Sequence, residues 1–209
     1  MPAALRAPGQ VAAFAGRVLF PVVCYPYRIW SPAVPYYSAD GTASPLTLAT
    51  QFTLSQNCAL NAIWWYSYPS ALALPTICGI WDITLQSLVT EDAAPAWTVP
   101  GGADAVAGGG WAFCDFTAAG VTLASGNPYY VAVYQPDSVL WYCTAPGYWT
   151  PGSGLAGQNG IISGPVIAPD TVVALNGQGC NTPGQWEFPS VNPGDGEVYY
   201  ADVEVTPFP

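Results

Sequence analysis

The sequence predicts an all-β protein, a two-sheet sandwich with jelly-roll-like topology and an extended N-terminal arm. Three observations point there. Gly and Pro stand at 22 residues each and charged residues at only 8%, a turn-rich composition with little support for long helices. Short apolar segments rich in aromatic and β-branched residues recur along the chain without a helical period. Turn-forming groups separate them, among them Asp40-Gly41, Gly108-Gly109-Gly110, Asn127-Pro128, Asn159-Gly160, Asn176-Gly177 and Gly194-Asp195-Gly196. A chain of 209 residues is expected to form one domain with a core that needs no staples.

The chain divides into an arm, residues 1–35, and a sandwich domain, residues 36–209. In the arm, Pro2, Pro8, Pro21, Pro26, Pro32 and Pro35 rule out a long helix and leave 18–20 and 22–25 as short extended segments. Two readings of the arm follow. It supplies the first strand of the sandwich, or it straps across a partner, burying Val18, Phe20, Val22 and Tyr25 and setting Arg6, Arg17 and Arg28 against acidic surface.

Within the sandwich, strands are predicted at 47–54, 60–66, 78–83, 85–90, 111–116, 121–123, 129–135, 139–143, 171–175 and 197–205. The aromatic segments 60–66 and 78–82 read as neighbouring strands of a packed sheet around which the rest is organised. In the first, Ile63 and Trp65 point one way while Trp64 and Tyr66 point the other, so one set leaves the core or is covered by the arm or a second sheet. The Gly- and Pro-rich stretch 144–169 reads as a surface excursion, too long for a hairpin loop.

Charge is divided along the chain. Its 3 basic residues are Arg6, Arg17 and Arg28, whereas all 13 carboxylates lie from Asp40 onward, giving a net charge of −10. An ion pair must therefore join the N-terminal segment, another chain or a metal ion to the body. Such a surface repels phosphates and has almost no cation with which to release counter-ions, so neither DNA nor RNA is an expected partner.

The 6 cysteines, Cys24, Cys58, Cys78, Cys114, Cys143 and Cys180, show no C-x-x-C spacing, and the chain contains no His. A zinc site would need four separated thiolates. Cys78, Cys114 and Cys143 sit in apolar runs and read as buried free thiols. One or two disulfides stay open, with no pairing assignable from sequence.

Pro8, Gly9, Arg17 and Pro21 interrupt the apolar character of the first 24 residues, so no export signal is expected there. No run is long enough for a membrane helix, and no membrane partner is expected.

Catalysis is not expected. Without His or Lys, nucleophile activation by either is closed, leaving carboxylate or Tyr acid–base work. Neither Glu187 with Glu197 nor Asp137 with Asp170 has spacing that supports a glycosidase pair. No cofactor is expected beyond a calcium ion, for which Asn192, Asp195 and Glu197 offer oxygen ligands, although the same segment reads as an ordinary turn. Trp97, Trp141, Tyr148 and Trp149 lie in or beside loops, where aromatics anchor a protein interface or stack on a sugar ring. Asp137 near Trp141 adds a polar contact for sugar hydroxyls.

Six segments in order carry a resemblance: Gln51-Phe52-Thr53-Leu54-Ser55, Ile63-Trp64-Trp65-Tyr66, Gly79-Ile80-Trp81-Asp82, Gly110-Trp111 through Phe116, Leu123 through Tyr134, and Phe188-Pro189 with Tyr199-Tyr200-Ala201-Asp202-Val203. The chain resembles an uncharacterised aromatic-rich β-sandwich module of actinobacterial secreted proteins and phage virion proteins. The resemblance implies a non-catalytic module that accompanies glycan-associated domains in secreted relatives. An arm in place of an export signal favours the virion branch. The resulting expectation is a virion structural protein of an actinobacterial phage, a capsid decoration or minor capsid protein anchored by its arm in a symmetric assembly. The alternatives are an extracellular carbohydrate-binding module for cell-surface glycans and a tail or receptor-binding component.

Overall fold

A computed structural model describes residues 26–30, 38–41, 45–67, 74–100, 109–135, 141–144, 161–168, 179–180, 186–190 and 198–209. The strands among them are β1 (Tyr27–Arg28), β2 (Ser38–Gly41), β3 (Leu46–Leu54), β4 (Cys58–Ser67), β5 (Ile77–Asp82), β6 (Ser87–Asp92) and β7 (Gly110–Asp115). They continue with β8 (Thr122–Leu123), β9 (Tyr129–Gln135), β10 (Trp141–Thr144), β11 (Ile161–Ser163), β12 (Val166–Ala168), β13 (Gly179–Cys180) and β14 (Ala201–Pro207).

They form two 7-stranded sheets in which every pairing is antiparallel. In the first sheet β4 is the spine, with β14 along one side, β7 and β8 along the other, and β1 outside β14. In the second, β9 lies between β3 and β5, with β6 outside β5 and the β11–β12 hairpin and β13 against β3, so β4 and β5, expected side by side in one sheet, lie in opposite sheets. Taking β1, β3, β4, β5, β6, β7, β9 and β14 as successive strands, the first sheet reads first, eighth, third, sixth. The second reads second, seventh, fourth, fifth. That alternation between sheets is the double Greek key of a jelly roll, so the sandwich and the jelly-roll expectation both hold.

Alternation decides what fills the space between the sheets. Leu48, Phe52 and Leu54 of β3, Ile63 and Trp65 of β4, Cys78 and Ile80 of β5, Val131 and Val133 of β9, and Val203 and Val205 of β14 are all buried in one cluster. A bulge at Asn61 in β4 shifts the register against β14 between Glu204 and Val205, and the Asn61 amide donates to Thr206 Oγ1 at 2.7 Å. On the far face of the second sheet Ala49, Tyr130 and Ala132 are covered by Trp81, Trp186 and Phe188. Gly79 permits that cover. A Cβ there would lie 2.6 Å from the Thr90 carbonyl oxygen and 3.1 Å from the Trp186 ring.

Strand boundaries differ from expectation at two left-handed residues. Residues 83–86 form a turn in which Asp82 Oδ1 accepts the Leu85 amide and Gln86 has φ 50°, so β6 begins at Ser87. Tyr200 has φ 45°, and β14 begins just after it rather than at 197. Residues 26–30, assigned from sequence to the arm, are part of the sandwich: β1 pairs β14, and Ile29 and Trp30 are buried. The predicted strand 171–175 lies outside the described residues.

Candidate functional site

The first sheet turns Trp64 and Tyr66 of β4 away from the Ile63–Trp65 face, and register places Phe113 and Trp111 of β7 beside them. Asp202 of β14 is the register partner of Trp64, and Arg28 of β1 is the partner of Glu204. Arg28 crosses β14 from the sheet edge and enters this aromatic face. Its guanidinium carbon sits 3.8 Å from the Trp64 ring centre and 4.5 Å from that of Trp111. Its Nε donates to Asp202 Oδ2 at 2.8 Å, while Nη2 is buried without a hydrogen-bond partner among the described residues.

Asp202 is completely buried, a position a carboxylate holds only with dense hydrogen bonding. Beyond Arg28 it accepts the backbone amides of Ile29 at 2.8 Å, Trp30 at 3.4 Å and Val203 at 2.7 Å. Burial nevertheless pushes its carboxyl up to about 6, against the pull of Arg28 and of the Ile29 and Trp30 amides. It is therefore ionised at neutral pH and fixes three consecutive residues, 28–30, onto the sheet. Trp30 completes the cover by packing on Trp111 and edge-on to Tyr200, and the Trp64 indole N–H donates to Glu204 at 3.0 Å. Beside the clamp lies a recess of about 290 Å³ lined by Arg28, Trp64, Val99, Pro100, Gly109, Gly110 and Trp111.

Arg28, expected to meet a carboxylate on a neighbouring subunit, thus meets Asp202 of its own chain. Arg28–Asp202 is the one ion pair among the described residues. Of the other arm residues, Arg6, Arg17, Val18, Phe20, Val22 and Tyr25 lie outside the described residues. Trp97 is partly buried against the core and its indole N–H donates to the Pro75 carbonyl at 2.6 Å, so one edge of its ring is committed internally. Trp141 lies on β10, where the backbone pairs Gly41. Asp137, Tyr148 and Trp149, and the calcium candidates Asn192, Asp195 and Glu197, lie outside the described residues. Among the described residues no group of three or more His, Cys, Asp or Glu is placed to hold a metal. The thiols of Cys58, Cys78 and Cys114 are free and buried, as expected for Cys78 and Cys114.

Sequence alone does not single out Trp64, Trp111, Asp202 or Glu204 as a unit. One signal was present. Asp202 interrupts an apolar strand in a chain whose only cations precede residue 39, so any internal partner had to be one of those three arginines.

A second feature lies at the opposite sheet. β6 is the edge strand at one end of this sheet, β11 being the other, and among the described residues nothing pairs its outer edge. Leu85, at 71% exposure, precedes it, and Leu88 and Val89 are exposed within it. The edge is blunted only in part, by a bulge at Val89 against β5 and by Glu91 and Asp92 at its end, while Leu85 and Leu88 stay exposed. Comparison with family models, with curated proteins and with solved structures finds no match to this chain.

Proposed function

We propose that the protein is a non-enzymatic structural component of an actinobacterial phage virion, a capsid decoration or minor capsid protein that works by assembly. The observation that carries assembly is the open β6 edge with its exposed Leu85, Leu88 and Val89. Charge supports it. Arg28 is consumed by Asp202, so the remaining carboxylates of the described body have no ion-pair partner there and suit cations supplied by another chain. Arg6 and Arg17, on the apolar segment that precedes β1, are the cations of this chain still to be placed. Jelly rolls serve both capsid shells and lectins, so the fold is compatible with the reading without selecting it. The phage assignment rests on the sequence resemblance.

Arg28 alters the design of the test. Removing residues 1–35 would strip β1 and leave Asp202 buried and unpaired, whereas removing residues 1–25 leaves the clamp in place. Tagged full-length and 26–209 chains expressed during infection are expected to differ. The full-length chain enters purified particles and the shortened one stays in the soluble fraction with unchanged thermal unfolding. Equal incorporation of both would overturn the role of the arm. Glycan binding is the alternative, and it now rests on Trp141, Tyr148, Trp149 and Asp137. Glycan-array binding lost in Trp141→Ala and Trp149→Ala would favour it.

A further inference from the structure

Among the described residues, two of the three thiols in the core between the sheets lie on strands of opposite sheets. Cys78 is on β5 of the second sheet, in the inward phase it shares with Ile80. Cys114 is on β7 of the first sheet, in register with inward-facing Ile63. Both are buried. The Cys114 thiol donates to Asp92 Oδ2 at 3.4 Å, and Asp92 is the residue opposite Cys78 in the β5–β6 ladder. Asp92 therefore lies beside both thiols, its carboxylate accepting from Cys114 and its backbone paired opposite Cys78. The Cys78 thiol is pushed up, first by the neighbouring Cys114 thiol and then by burial.

We propose that Cys78 and Cys114 form a redox pair that closes to a disulfide joining the two sheets, with a small-molecule disulfide such as oxidised glutathione as the oxidant. The Cys114 thiol gives its proton to solvent base, and the thiolate attacks one sulfur of the oxidant. A mixed disulfide forms and one small thiolate leaves. Cys78 then loses its proton to solvent base and attacks the Cys114 sulfur, forming the internal bond and expelling the second small thiolate, and the two small thiolates take up the two protons released. Two protein thiols are oxidised by two electrons and one small disulfide is reduced to two thiols. Because both sulfurs are buried, the exchange proceeds during folding or when the exposed edge strand β6 lifts and carries Asp92 with it.

The bond would close a loop of roughly 35 residues and raise the thermal midpoint by about 10 °C. The full-length chain is to be refolded and equilibrated in reduced and in oxidised glutathione, alkylated under denaturing conditions and mapped by peptide mass spectrometry. A peptide cross-linked between Cys78 and Cys114 in the oxidised sample alone is expected, with a higher melting midpoint than the reduced sample. Oxidant should leave the melting of Cys78→Ala and of Cys114→Ala unchanged. If both thiols remain alkylatable after refolding in oxidised glutathione, or cross-links join only other cysteines, the proposal is overturned. The peptide map uses the unmodified chain, so it decides even where a variant fails to fold.

Discussion

Replacing Arg28 with Met keeps the stem that crosses β14 and removes the charge from the clamp. The cost can be worked from Asp202. Its folded carboxyl titrates at about 6 against an ordinary 3.8, so the folded protein holds this proton more tightly than the unfolded chain. The stability that the proton contributes is full below 3.8 and is lost as pH rises through 6. Carrying the charge at neutral pH therefore already costs about 3 kcal/mol, at about 1.4 kcal/mol per unit. In Arg28→Met the carboxyl escapes by taking the proton, which limits the added electrostatic loss to about 1 kcal/mol at neutral pH. Losing the guanidinium from between the Trp64 and Trp111 rings costs about 2 kcal/mol more, given how little of it meets water.

Together the variant loses about 3 kcal/mol at neutral pH, at the low end for breaking a buried pair from one side. At about pH 5 both proteins hold the proton and the difference shrinks to about 2 kcal/mol. Urea unfolding followed by tryptophan fluorescence at the two pH values gives both differences. A loss under about 1 kcal/mol at neutral pH, or one that grows on acidification, would refute the reasoning.

Gly79→Ala sets a Cβ 2.6 Å from the Thr90 carbonyl oxygen, so the β5–β6 ladder must shift and Trp186 must move off the sheet. A loss of about 2–3 kcal/mol in urea unfolding and increased fluorescence quenching by acrylamide are expected. Gly164→Ala drives a Cβ into the Tyr27 ring on a backbone with φ 57°, costing about 2 kcal/mol, of which adding Tyr27→Ala recovers only the steric share. Leu88→Lys on the open edge is expected to change unfolding stability by less than about 0.5 kcal/mol while reducing incorporation into particles, read by quantitative immunoblotting.

How far the sequence carried depends on segment length. β9, at Tyr129–Gln135, matches its expected bounds, and β3, β4, β5 and β7 fall within two residues of theirs, because each is a dense apolar run buried on one or both faces. The two-residue β1 and three-residue β11 and β12 give no period to detect. The late starts of β6 and β14 trace to Gln86 and Tyr200, non-glycine residues in a left-handed conformation that composition does not announce. For the clamp, charge segregation required an arginine from the start of the chain in any internal pair. The choice of Arg28 and Asp202, 174 positions apart, comes from β1 being laid beside β14, a long-range pairing that local sequence does not encode.

Peptide mass spectrometry with isotope-labelled standards, applied to purified phage particles, tests the assembly reading most directly. A copy number in simple proportion to the major shell protein is predicted. Absence of the chain from the particles, or only a handful of copies in each, would contradict a capsid role.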